Sequence, residues 1–239
     1  MNFQQCIFQE NSLTKGSCIA VLGGGGKTTL LNKLATEFAL VFDAVLQTSL
    51  TKTADNPSRK ALSIRNFNKH KYNQNPMLVV GNKINNDKFE GITEKELKII
   101  LPQFDIALFE CDGAKNRPLK AHNTIDPTVP DFTTHVIMVV GTDAIRKKVS
   151  DGVVHRPDLF CKIWGVNEDD ILTTDLIAKV LTSKRGYLSK LKHDCKTIFF
   201  VNKSDISMKY SKILASKLLV KSGCPTYFGS IQNDQIEHI

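Results

Sequence analysis

Seven consecutive residues near the start of the chain, Gly23-Gly24-Gly25-Gly26-Lys27-Thr28-Thr29, have the make-up of a phosphate site. Glycines let a backbone come close to phosphate oxygens and aim successive N–H groups at them, and a helix N-terminus adds favourable dipole charge. Lys27 would reach the β and γ phosphates of a nucleoside triphosphate, and the Thr28 hydroxyl would ligate Mg²⁺. The full spacing G-x-x-x-x-G-K-[ST] is not met, because its first glycine falls on Val21. A variant with a second lysine five residues before the motif lysine meets Leu22 instead. The loop is therefore a short, glycine-saturated form, with a flexible turn before Lys-Thr as the plain alternative.

Phosphate chemistry also needs a carboxylate on a neighbouring strand, to hold Mg²⁺ through water and to orient an attacking water. Glu110 and Asp112 follow the apolar run Ile106-Ala107-Leu108-Phe109. Two residues apart, they face the same side if the strand persists that far, so both are candidates for the metal and for catalysis. The spacing Glu110-Cys111-Asp112-Gly113 resembles the E-x-x-G of nickel-insertion GTPases. A third element, Asn202-Lys203-Ser204-Asp205, closes a hydrophobic strand with N-K-x-D and resembles the guanine-specificity element of GTPases. Asp205 would accept from guanine N1–H and the 2-amino group, Asn202 would support the loop and base edge, and the Lys203 stem would cover the ring. Adenine lacks that donor pair, which favours GTP and leaves ATP as the alternative. The near match Asn82-Lys83-Ile84-Asn85 ends in Asn where Asp is required.

The elements that must position these groups are legible as hydrophobic runs. Ser17–Leu22 reads as a buried strand, and Leu30, Leu31, Leu34 and Phe38 recur at near-helical spacing just after the glycines. Further strands are expected at Ala44–Ser49, Met77–Gly81, Asp105–Phe109, His135–Val140 and Thr197–Val201. A capping box (Thr93, Glu96) should open a helix with Leu97, Ile99 and Ile100, and a last helix bears Ile213, Leu214, Leu218 and Leu219. Apolar strands alternating with amphipathic helices imply an α/β fold, with a mainly parallel sheet covered by helices on both faces. We expect one nucleotide-binding domain over 1–239, with a polar excursion at about 51–76 that carries Lys52, Arg59, Lys60, Arg65, Lys69 and Lys71 against the single acid Asp55.

Composition narrows the field. With 41% hydrophobic and 23% charged residues, the chain matches a globular protein and not a disordered or fibrous one. No apolar run approaches the ~18–20 residues of a membrane helix, and the N-terminal residues lack a signal-peptide layout, so a cytoplasmic protein is expected. The six cysteines form no C-x-x-C pair, which argues against a zinc knuckle or a disulfide framework. A net charge of +8 attracts phosphate-bearing partners, but there is no nucleic-acid signature and only 8% of residues are aromatic. Three further features stand near the acidic strand end or beyond it. Lys115, Arg117 and Lys120 could bind a second anion or lie in a solvated loop, and His155-Arg156 could serve phosphoryl transfer or merely precede a helix at Pro157. Cys111 could be a soft ligand or a packed thiol.

Several segments together resemble the selenium-dependent hydroxylase accessory protein family, labelled YqeC. They are Val21–Leu30, Glu110–Lys115, Pro118–Ala121, Asp126–Pro130, Val139–Ala144 and Val154–Phe160. The resemblance implies a three-layer P-loop NTPase fold similar to the nickel-insertion GTPases. It also implies a slow GTP hydrolase that uses Mg²⁺ and serves maturation of a molybdenum hydroxylase with labile selenium. The client would be that enzyme or its cofactor, and a homodimer is left open. An ATP-dependent small-molecule kinase and a nucleotide-gated scaffold without turnover are the rival readings. Two departures stand out. Where a threonine run is expected the chain has Thr48–Thr53, with Thr51 the choice for a switch hydroxyl, and Ala121–Ile125 replaces an expected proline and acidic pattern.

Overall fold

The computed structural model describes residues 2–8, 13–54, 59–68, 74–123, 127, 129–183, 185–191 and 195–239. The helices among them are α1 (Phe3–Phe8), α2 (Lys27–Phe38), α3 (Glu94–Ile100), α4 (Pro157–Trp164), α5 (Thr174–Thr182) and α6 (Met208–Ser222). Strands β1 (Ser17–Gly23), β2 (Val45–Ser49), β3 (Thr53–Ala54), β4 (Ala61–Ser63), β5 (Met77–Val80), β6 (Lys83–Asn85) and β7 (Lys88–Phe89) come first. They are followed by β8 (Ile106–Glu110), β9 (Leu119–Lys120), β10 (His135–Gly141), β11 (Val154–His155), β12 (Lys196–Asn202), β13 (Thr226–Ser230) and β14 (Gln235–His238).

Nine strands form one sheet in the order β14-β13-β12-β10-β1-β8-β2-β5-β4. Every neighbouring pair is parallel except β13 with β14. Alternation along the central strand sorts the core into two layers, as period-two geometry requires. Ile19 and Val21 pack with α1 and α2 through Phe3, Ile7, Leu30, Leu34 and Phe38. Cys18, Ala20 and Leu22 join the opposite layer with Leu97 of α3, Phe160 of α4, Ile177 of α5 and Leu214 of α6. The result is the expected three-layer α/β arrangement, a mainly parallel sheet covered on both faces. Each buried Leu or Phe of α2 contributes roughly 1.5–3 kcal/mol, so this helix, and the glycine loop before it, is held firmly on the sheet.

The capping box at Thr93 and Glu96 forms as the sequence predicts. Within the polar stretch 51–76, the described residues supply β3 and the edge strand β4, and Arg59 bonds Gln47 and Thr36. Only Leu62 of β4 is buried, too little apolar signal to read as a strand. Asp55, Lys69 and Lys71 lie outside the described residues, as do Thr124, Ile125 and Asp126. Among the described residues no helix is long and apolar enough to cross a membrane.

Candidate functional site

The C-terminal ends of β1, β8, β10 and β12 meet at one edge of the sheet, where open parallel sheets bind ligands. Strand register does much of the positioning. Val21 of β1 lies beside Glu110 of β8, Gly23 beside Val139, and Gly141 of β10 beside Asn202 of β12. The glycine loop therefore has acids on one flank and the Asn-Lys-Ser-Asp turn on the other.

Gly23, Gly25 and Gly26 adopt φ of +96°, +78° and +127°, conformations closed to most side chains. The space is closed as well. A Cβ on Gly23 would lie 2.1 Å from the Val139 carbonyl oxygen. Gly24 N–H donates to Val139 and Gly25 N–H to the Arg117 carbonyl, so these glycines anchor the loop to β10 and to the segment after β8. The first turn of α2 begins at Lys27 without a side-chain cap, and its first intrahelical donor is Leu30 N–H to Gly26. Its leading N–H groups, flanked by the exposed Thr28 and Thr29, are the donors a helix start offers to an anion.

Lys27 is buried, 5% exposed, and its ammonium donates to Gly23 O at 2.7 Å. It stands 3.4 Å from Glu110 Oε1 and 3.3 Å from Asp112 Oδ1. Burial opposes its charge, but the two carboxylates more than compensate and hold its pKa above the usual value. The acids themselves differ. Asp112 is wholly buried and accepts from Gly23 N–H at 3.0 and 3.2 Å, and from His122 Nε2 at 2.8 Å, with Lys120 Nζ 3.7 Å away. Burial would raise its pKa, yet Lys27, His122 and Lys120 drive it far below the ordinary carboxylate range. Glu110 sits at the rim and accepts from the Thr28 hydroxyl at 2.9 Å. Burial pushes its pKa up, and neither Lys27 nor Thr28 fully offsets that.

Asn202 braces the loop from the other side. Its Nδ2 donates to Gly25 O at 2.7 Å and its Oδ1 accepts from Ile231 N–H at 3.2 Å. Lys203 adopts φ +64° and pairs with Asp143, while Asp205 is exposed at the tip of the turn before α6. Thr51 lies beside the acids' strand: its N–H donates to Ser49 Oγ, and the adjoining Leu50 N–H donates to the Glu110 carbonyl.

Other candidates separate from this cluster. Lys115 is exposed, Arg117 turns to the Gly152 carbonyl, and Lys120 is buried beside Asp112, so the three do not form one basic strip. Arg156 precedes Pro157 of α4 and donates to the Ala121 carbonyl at 3.2 Å, a bracing contact. Cys111 is buried and its thiol pKa is pushed well up by burial, then by Asp112 and Glu110, so it packs as a neutral thiol. His122 and Tyr187 carry no motif, and Asp143, though within the Val139–Ala144 segment, was given no site role. Tyr187 packs edge-on to the His122 ring at 4.1 Å and donates to the Lys120 carbonyl.

Fold and site together define a three-layer α/β protein with a glycine-lined helix start and an acid-paired lysine at the ligand edge of its sheet. A sequence model for YqeC protein matches residues 19–158, and the chain belongs to the YqeC family. It is 28% identical over 218 residues to the uncharacterized protein YqeC of Escherichia coli (strain K12), covering 84% of this chain and 80% of that one. No solved structure matches.

Proposed function

We propose that the protein is a Mg²⁺-dependent nucleoside triphosphatase that prefers GTP and acts as an accessory factor in maturing a selenium-dependent molybdenum hydroxylase. The observation that carries the catalytic part is the ammonium of Lys27, buried between Glu110 and Asp112 at an uncapped helix start. That lysine holds its charge in a low-dielectric pocket by pairing with acids, and a γ-phosphate is the anion that would take their place. The accessory role and its client rest on the family.

The residues fit a hard divalent cation. Thr28 Oγ1 and Glu110 Oε2 are oxygen donors in contact at the rim, beside the first turn of α2. Asp112 is turned inward and already satisfied, which suits it to hold Gly23 and Lys27 in place instead of meeting the metal directly. Mg²⁺ would neutralise charge on the terminal phosphates. Lys27 would bind the phosphates, the leading N–H groups of α2 would cradle them, and Glu110 would orient water. On the other flank Asn202 supports the loop, the Lys203 stem covers a base, and the exposed Asp205 is free to read its edge. The kinase reading needs a second anion site, and the dispersal of Lys115, Arg117 and Lys120 gives it no support.

Calorimetric titration with non-hydrolysable GTP and ATP analogues, with and without Mg²⁺, tests the proposal. Tight, Mg²⁺-dependent binding of the GTP analogue, lost in Lys27→Ala, supports it, as does phosphate release from GTP. Equal affinity in Lys27→Ala would remove the phosphate-loop assignment, and a strong preference for ATP would remove the base-reading one.

A further inference from the structure

The 3₁₀ turn after β10 brings to the base-reading turn an acid to which the sequence assigns no site role. Asp143 Oδ2 lies 2.5 Å from Lys203 Nζ, and both side chains are only partly exposed, 28% and 35%. Asp143 Oδ1 is buried with no hydrogen-bond donor among the described residues. It lies over Gly141, where a Cβ would meet it at 2.1 Å and would stand 3.2 Å from Gly25 Cα. The backbone under the acid is fixed too, since Thr142 Oγ1 donates to the Asn202 carbonyl at 2.8 Å.

The geometry points to Asp143 as a positioning residue that sets base selectivity by holding Lys203 across the base side of the site. This inference rests on the GTP-binding reading above. A lysine stem is flexible and its ordering is entropically costly, so a ring-covering lysine gains from an anchored tip. The anchor also has an electrostatic task. A triphosphate beside Gly25 would draw a free ammonium toward its phosphates, where it would strengthen binding of any nucleotide without reading the base. The Asp143 carboxylate, 2.5 Å from that ammonium, competes with the phosphates for it and holds it on the turn. Because the pair is partly shielded from water, it is worth more than a solvent-exposed ion pair.

The experiment compares wild type, the near-isosteric Asp143→Asn, Lys203→Met and the double variant, each titrated with GTP, ATP and inorganic triphosphate in the presence of Mg²⁺. Expected is a roughly tenfold fall in the GTP-to-ATP affinity ratio for Asp143→Asn, the scale of one charge-assisted hydrogen bond. Inorganic triphosphate should bind Asp143→Asn at least as tightly as wild type. In the Lys203→Met background the Asp143 change should alter the ratio no further, because the two residues act as one unit. An unchanged ratio in Asp143→Asn, or an equal loss for GTP, ATP and inorganic triphosphate, would overturn the inference while leaving the GTP reading intact. A wild-type protein indifferent to the base would overturn both.

Discussion

Two carboxylates separated by one residue meet opposite demands at this site. Asp112 is held ionised by Lys27, His122 and Lys120 despite its burial, whereas Glu110 is pushed toward its neutral form. Replacing Asp112 with Asn removes one of the two carboxylates that pair with the buried Lys27, and a cost of about 3–5 kcal/mol is expected, read as a lower midpoint in thermal melts. Glu110→Gln should instead match or exceed wild type in stability. The signs with pH differ accordingly. A carboxyl with a depressed folded pKa stabilises above its unfolded pKa and loses that contribution only as pH falls through the folded value, so Asp112 contributes down to strongly acid pH. One with a raised folded pKa contributes fully below its unfolded value, about 4.3, and loses that contribution as pH rises through the folded value. The melting temperature of Glu110→Gln minus that of wild type should therefore grow as pH rises from about 4 toward neutrality. A flat difference would contradict the raised value. Asp205→Asn should shift preference from GTP toward xanthosine triphosphate, because an acceptor becomes a donor, and competition binding would read that shift. Both acids were legible from their place after an apolar run. Their difference was not, because it depends on His122 and Lys120 packing against Asp112, a contact that no sequence spacing announces.

At the level of elements, the glycine loop and the segment after β8 are built against each other. A Cβ on Gly24 would meet the Arg117 carbonyl oxygen at 2.2 Å and Pro118 C at 2.8 Å, all backbone that cannot step aside cheaply. Gly24→Ala should cost at least about 2 kcal/mol and lower the melting temperature by roughly 4–8 °C. Gly113 has nothing within 4 Å of such a Cβ, so Gly113→Ala should melt with wild type. Calorimetry of the two variants side by side checks the contrast, and equal losses would contradict it. The strands β1, β5, β8, β10 and β12 were readable because each is built around an apolar run, and β2 because Ala44-Val45-Leu46 leads into it. The hairpin of β13 and β14 was not, since β14 is an exposed edge of mixed polarity and β13 opens on polar Thr226. The small sheet of β3, β7 and β6 escaped for the same reason, being short and largely exposed.

For the whole molecule, ligand binding should appear as stability. A nucleotide present at a hundred times its dissociation constant adds about 2.7 kcal/mol, which for a chain of this size is a rise of roughly 5–10 °C. Mg²⁺ with a GTP analogue should produce that rise in wild type, and Lys27→Ala should abolish it. The parallel-sheet architecture was readable from alternating runs, but the closing of the site was not, because it joins distant parts of the chain. Asn202 reaches back across 177 positions to Gly25 while taking a bond from Ile231, 29 positions ahead. That bridge sets an order in time. During synthesis the glycine loop leaves the ribosome early, but its brace is missing until Asn202 emerges and its brace's own support until Ile231 does. Under the proposed function, a half-made chain should bind no triphosphate until the last strands are in place. Ribosome-stalled chains of increasing length, probed with a photoreactive GTP analogue, should label only after residue 231 has cleared the exit tunnel.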